Sequence, residues 1–358
     1  MIRNPAVTVL LLAASISACS KSNQSKNTET PKPATPATDA AATPARPVAP
    51  PAPGPVAQRG VKTEMRNVKF HLTDRAVADL RILSGEIWPT GKNEMPDFDD
   101  KTSFEIRVAN GKVSISPQAL ADILNSHVFG KSDSPLKNLA ISIDKNRLII
   151  KGRLHTKGDI PFETGGSLSV TPDGRIRVIT EEVKALHVPV KGVMGLFGIE
   201  LAKIINTSKI DGMDTDKNDL LMNLATLLPP PHIQGKLTTV SLEPHAIVTY
   251  FGDGGASAAS SSSQKATSYM AFEGNPIRFG KLTMASADLV IFDLDPNDPL
   301  DWNQDHYRDQ LVAGYSKITP AFGLRSYVKD YAKLPGAATA LANPPPEAPA
   351  AGPVTAKN

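Results

Sequence analysis

The chain contains a single cysteine, Cys19, so no disulfide can form within it and its fold must be held together by burial alone. That burial has to come from the middle of the chain. Residues 20–60 are built from Pro, Ala, Thr and Lys, with prolines at 31, 33, 36, 44, 47, 50, 51, 53 and 55. A segment of that composition favours extended, polyproline-II-like states over helix or sheet. The stretch 335–358 has the same Ala/Pro character and is expected to be disordered. The span between these tails, out of 358 residues, fits one large domain or two small ones. With 39 basic and 36 acidic residues the net charge is only +3, and no long basic run occurs, which argues against nucleic acid as a partner.

Cys19 closes an apolar N-terminal run. Arg3 supplies a positive start, and Val7 to Ile16 is an apolar core too short to span a bilayer but of the right length for a secretory signal. Ile16, Ser17, Ala18 and Cys19 resemble the lipobox at which bacterial lipoproteins are cleaved. That resemblance implies a signal peptide over 1–18, a diacylglyceryl group on the Cys19 thiol, and a mature chain tied to a membrane. Ser20, where an aspartate would signal inner-membrane retention, implies the periplasmic face of the outer membrane. Each buried methylene of the acyl chains contributes about 0.8 kcal/mol to such an anchor. Residues 19–60 then form a semi-rigid tether, reaching on the order of 100 Å at about 3.1 Å per residue. No later stretch of about 18 or more apolar residues is present to span a membrane.

Between the tails, alternation predicts strands. Val68, Phe70 and Leu72 alternate, as do Phe104, Ile106 and Val108, and then Val113 and Ile115. Ser116 is a good N-cap and Pro117 fits the first helical position, so Leu120, Ile123, Leu124 and Val128 predict a helix. Leu139, Ile141 and Ile143 lead through Asp144-Lys145-Asn146 to Leu148, Ile150, Gly152 and Leu154, a predicted hairpin. Leu168 and Val170 pair across Asp173-Gly174 with Ile176 and Val178 in a second.

The most apolar helix is predicted over 190–205. Val190, Val193, Met194, Phe197, Leu201, Ile204 and Ile205 form its stripe, and Leu196 and Ile199 make the other side apolar too, so it needs cover on nearly all faces. A short helix is expected over 219–228, stopped by Pro229-Pro230-Pro231. Residues 237–251 read as strand broken near Pro244, 252–268 as a flexible Gly/Ala/Ser loop, and 277–294 as one further strand pair. The remainder, to about Leu334, is expected to be helical or irregular. The expected organisation is thus an α+β domain over 61–251, the loop 252–268, a C-terminal strand pair with a helical extension over 269–334, and the tail 335–358.

Chemistry-bearing motifs are scarce. No nucleophile elbow, phosphate-binding glycine loop or His-Glu-x-x-His sequence occurs. The seven histidines never fall at i, i+4 spacing and read as surface or turn residues. Asp214, Asp216 and Asn218 mimic the start of a calcium loop, but Asp219 stands where glycine is needed and Ala225 where glutamate is needed. Capping of a helix start is the expected use of that cluster. Asp293, Asp295, Asn297, Asp298 and Asp301 form a second oxygen-rich cluster, open to a calcium reading or to Asp/Asn/Pro turn chemistry. Without a catalytic constellation, no enzyme and no cofactor are expected.

One stretch is familiar. From Leu139 to about Phe251 the order is strand, turn, strand, an Ile160-Pro161 step, two strands across Asp173-Gly174, a wide apolar helix, then Pro230-Pro231, Gly235 and Val240. Val113 to Phe129 adds strand and helix before it. This order resembles the tubular lipid-binding superfamily, particularly its bacterial LmeA-like phospholipid-binding proteins, over about half of the chain. The resemblance implies a long, curved antiparallel sheet wrapped around an apolar helix, with acyl chains held between them. Leu148, Ile150 and Leu154 on one strand face, and Val193, Met194, Phe197, Leu201 and Ile204 on the helix, would line the tube, with Gly152 permitting curvature. The expected function is a phospholipid-binding or acyl-chain-shuttling envelope lipoprotein. The alternative is an envelope scaffold of the same fold, with a filled core and a protein partner.

Overall fold

A computed structural model describes residues 60–155, 159–181, 184–185, 207, 210–252 and 267–337. The expected signal peptide, the tether up to residue 59, the apolar helix of 190–205, most of the Gly/Ser loop and nearly all of the C-terminal tail lie outside the described residues. Everything described belongs to one unit, Gly54–Asn358.

Strands β1 (Val61–His71), β2 (Val77–Pro89) and β3 (Phe104–Ile115) form an antiparallel meander. Helix α1 (Pro117–Ile123) follows, continued by a π-helical turn over Leu124–Val128. The next strands are β4 (Leu136–Asp144), β5 (Arg147–His155), β6 (Asp159–Val170), β7 (Ile176–Thr180), β8 (Lys184–Ala185), β9 (Met213–Asp216) and β10 (Asp219–Met222). They form a seven-stranded sheet in the order β4-β5-β6-β7-β10-β9, with β8 paired to β6. A helical turn α2 (Leu224–Leu227) and a cis Pro230-Pro231 bond lead to β11 (His232–Gly235), β12 (Leu237–Glu243) and β13 (Ala246–Phe251). The chain continues through β14 (Tyr269–Glu273), the small hairpin β15 (Ile277–Phe279) and β16 (Leu282–Met284), β17 (Asp288–Asp293) and β18 (Leu300–Asn303). Helix α3 (Tyr307–Val312), β19 (Tyr315–Ile318) and β20 (Leu324–Val328) complete it.

Eleven of these strands make one large, curved, unclosed sheet in the order β12-β13-β3-β2-β1-β14-β17-β20-β19, with β11 on β3 and β18 on β1. The described residues are therefore mostly β, with few helices among them. Two long strands change partner along their length. Strand β1 pairs antiparallel with β14 over Lys62–Arg66, then parallel with β18 over Val68–His71. The change falls at Asn67, whose φ of 52° is tolerated by Asn better than by branched residues. Its side-chain amide donates to Ser268 Oγ at 2.8 Å, which fixes the bend. Likewise β3 pairs with β11 over Glu105–Val108 and with β13 over Gly111–Ile115.

The local signals act as their chemistry dictates. Ser116 caps α1 by accepting from the Ala119 N–H at 3.0 Å, with Pro117 at the first helical position. The β4–β5 hairpin turns at Lys145 with φ 55°, and the β6–β7 hairpin at Gly174 with φ 83°. Gly152 is needed for room: a Cβ there would lie 2.7 Å from Leu139 Cδ2 and 3.0 Å from the Phe162 ring.

Three expectations are corrected. Residues 219–222 are strand β10, paired with β9 and β7, and only Leu224–Leu227 is helical. A turn with Lys217 at φ 56° precedes β10, and Leu221 and Met222 within it are buried. Residues 277–294 are not one strand pair. Gly280, at φ 60°, turns β15 back onto β16 in a separate hairpin, while β17 joins the large sheet between β14 and β20. Finally, the stretch to Leu334 does contain helix α3 and a 3-10 turn at Tyr331–Lys333, but it also contributes the unexpected strands β18, β19 and β20. All four residues of β18 are buried, Leu300 and Trp302 as well as Asp301 and Asn303, and Ser326 is buried at the centre of β20. Burial of polar residues on these strands erases the alternation by which a sequence announces β-structure.

Candidate ligand cavity

The two large sheets share one hydrophobic core, and between them lies a cavity of about 80 Å³. The large sheet contributes Ala78 from β2, Val113 and Ile115 from β3, Ile233 from β11, and Ile247, Thr249 and Phe251 from β13. The second sheet contributes Leu148, Leu168, Ile176 and Met222. Helix α1 adds Leu120 and Ile123, the π turn Leu124, and the α2 region Leu224, Leu227 and Leu228. Val113, Ile115, Leu120, Leu168, Leu224 and Leu228 are only half-buried, so apolar surface continues from the cavity toward its margin.

Thr249 is the one polar side chain on this lining among the described residues, and its hydroxyl already donates to the Val113 carbonyl at 3.1 Å. No titratable group lines the cavity there. Such walls can bury hydrocarbon but offer no nucleophile, acid or base. The charges of the second sheet are paired away from it: Arg175 with Asp214 at 2.9 Å and Arg177 with Asp216 at 3.0 Å. Those pairs correct the reading of the 214–219 cluster as a helix cap. The cap of α2 is Asn223, which accepts from the Ala225 N–H at 3.0 Å.

The expected lining residues fare unequally. Leu148 is buried and lines the cavity. Ile150 and Leu154 pack into the same core but do not line it. Val193, Met194, Phe197, Leu201 and Ile204 lie outside the described residues, as does Cys19. The α1 residues and β13 were not expected on the lining. Their signal was present in the Leu120/Ile123/Leu124 stripe, but the sequence does not say which sheet that stripe faces.

Other concavities are polar. A groove of about 640 Å³ on β1, β2, β3 and β14 carries Lys62, Glu64, Glu86, Arg107 and Glu273. Three of its charges are visibly engaged: Glu64 accepts from Tyr269 OH at 2.5 Å, Glu86 from Trp88 Nε1 at 2.8 Å, and Arg107 pairs with Glu105 while lying 4.3 Å over the Trp88 ring.

Most of the buried polar chemistry lies around β17, β18 and β20. His71 is not a surface residue: it is buried at the end of β1, with Nε2 2.6 Å from Asp301 Oδ1 and its ring edge-on to Tyr331. Burial pushes the Asp301 carboxyl up, but the His71 hydrogen bond and charge and the Ala332 N–H outweigh it and hold the group below its ordinary value. Gln310 knits the region, accepting from the Asn303 N–H and donating to the Asp301 and Lys329 carbonyls at 2.7 and 2.8 Å. Nearby, burial pushes the Asp293 carboxyl up to about 7, opposed by the Asp295 N–H and reinforced by the charges of Asp330 and Asp298. Of the second oxygen-rich cluster, Asp293 and Asp298 come together with Asp330, while Asp301 turns to His71 and Asp295 caps the turn at Asn297.

No family model, curated protein or solved structure matches this chain.

Proposed function

We propose that this chain is a non-catalytic, membrane-anchored envelope lipoprotein that buries an acyl chain of a phospholipid between its two sheets. The observation that carries this reading is the cavity itself: a lining of apolar side chains with, among the described residues, a single, already satisfied hydroxyl. The apolar sequence of 190–205 would supply the helix around which the sheet wraps in the tubular lipid-binding proteins that the chain resembles. The Cys19 anchor and proline-rich tether would hold this body at a distance from the outer membrane, close enough to exchange lipid with it. Head groups would stay at the half-buried margin around Leu120, Leu224 and Leu228.

The cavity volume favours a second reading. Ligand sites usually enclose about 300–1,000 Å³, so a space of about 80 Å³ must widen before a chain can enter. If it does not widen, the core is filled, and the protein is an envelope scaffold that binds a protein partner. Native mass spectrometry with lipid extraction separates the two. The sample is the protein starting near Gln58, without its anchor and purified from bacteria. A stoichiometric phospholipid, lost on Leu224→Asp or Phe197→Asp in a folded protein, is the expected result. A clean apo mass with no uptake from phospholipid vesicles would leave the scaffold.

A further inference from the structure

Independently of what the cavity holds, we propose that Asp293, Asp298 and Asp330 form a calcium site that clamps the C-terminal strands together. One carboxylate oxygen from each of the three lies within 4.8 Å of the others. Oxygens that share one Ca²⁺ at 2.3–2.6 Å can be no more than about 5 Å apart, so one ion can reach all three.

The cluster does not stand on acidity alone. Asp293 is only 7% exposed, yet its Oδ2 has no hydrogen-bond partner. Its Oδ1 accepts from the Asp295 N–H at 2.8 Å, which fixes the carboxylate in place with one oxygen unused. Asp298 repeats the pattern: Oδ2 meets Lys333 Nζ at 3.0 Å, and Oδ1 is buried without a partner. Asp330 is buried, with Oδ1 taken by the Asp301 N–H at 2.9 Å and Oδ2 by Lys333 at 2.8 Å. Leaving buried acceptors unpaired is unfavourable, the more so for charged groups. Lys333 is the local counter-charge, also 3.3 Å from Asp295. One ammonium cannot balance three carboxylates, and it leaves two of their oxygens unmet. Its side chain is 44% exposed, so it reaches in from the surface on a flexible stem and can swing out.

A hard cation with oxygen ligands fits this donor set, and calcium fits better than magnesium because it accepts irregular geometry and a wider shell. The ligands come from three places: the end of β17, the turn before β18, and the segment after β20. Strand β18 pairs with β1 and β20 with β17, so the ion would tie the turn that leads into β18 to the ends of the β17–β20 pair.

The test is isothermal titration of the chelator-treated full chain with CaCl₂ and, separately, MgCl₂, with thermal melting as a second readout. One Ca²⁺ per chain is expected, with a dissociation constant of about 10⁻⁴–10⁻³ M as in extracellular modules, and a rise in melting temperature. Asp298→Asn should weaken binding at least tenfold. Lys333→Met, which removes the competing ammonium at a half-exposed position, should tighten it severalfold. Absence of Ca²⁺ uptake by both the native protein and a folded Lys333→Met variant would overturn the proposal. So would undiminished binding by Asp298→Asn, or Mg²⁺ binding as tight as Ca²⁺.

Discussion

Two parts of the core are filled in different ways. Around β14, β15 and β18, Phe98 touches Phe104, Phe272, Phe279 and Tyr307 with ring centroids 5.1–6.1 Å apart, and Tyr307 extends the cluster to Trp302. Edge-to-face and stacked rings have few torsions and fixed preferred geometries, so they fill space rigidly. Between the two sheets the lining is Leu, Ile, Val and Ala with Met222 and Phe251, and there the packing leaves a cavity. Aliphatic side chains and methionine repack with small changes of rotamer. The same chain thus builds a rigid part that holds its large sheet together and a more adaptable part, the one in which the proposed function would place an acyl chain.

The difference can be attacked from both sides. Trp302→Ala, in the ring cluster, should have the largest effect, a loss of about 3–5 kcal/mol in denaturant unfolding followed by circular dichroism. Leu148→Ala, on the cavity wall, should lose less, about 2–3 kcal/mol, and should gain uptake of a small apolar probe such as benzene. If the two losses are equal, the contrast between rigid and deformable packing fails.

The rigid part also carries a pH signature. The Asp301 carboxylate is held below its ordinary value, so its contribution is fully present above the unfolded value near 3.8 and is lost as pH falls through the folded value. Asp301→Asn should therefore cost about 1–3 kcal/mol at neutral pH and flatten the loss of stability below pH ~4, read from unfolding midpoints across pH. The smallest effect is expected for Ala78→Val on the cavity wall. It should change stability by about 1 kcal/mol or less while reducing acyl-chain uptake.

How much of this was legible in the sequence follows the same division. Val68–Phe70 of β1, the strands β4 and β7, the Ser116 cap and the Asp173-Gly174 turn announce themselves, because there buried and more exposed positions alternate. Strands β18 and β20 were misread because Asp301, Asn303 and Ser326 are buried and paired, so polarity no longer marks the outside. The cavity wall was legible in part. Leu148 was named from its strand face, but Ile150 and Leu154 on the same strand do not reach the cavity. Which residues of a strand face an opening depends on where α1 and β13 close over it, and those contacts are made across long separations in sequence. The Asp293–Asp298–Asp330 cluster was visible only for its first two members, because Asp330 arrives from the far end of β20.

The central claim is that the space between the sheets accepts an acyl chain. The most direct measurement is methyl-labelled NMR of the anchor-free protein with a phospholipid bound, recording contacts between chain protons and leucine and isoleucine methyls. Contacts to Leu148, Leu168 and Leu224, with none to Leu289 or Leu300 in the rigid part, are the predicted result. Contacts confined to outward-facing methyls such as Ile318, or no contacts in a protein saturated with lipid, would contradict it.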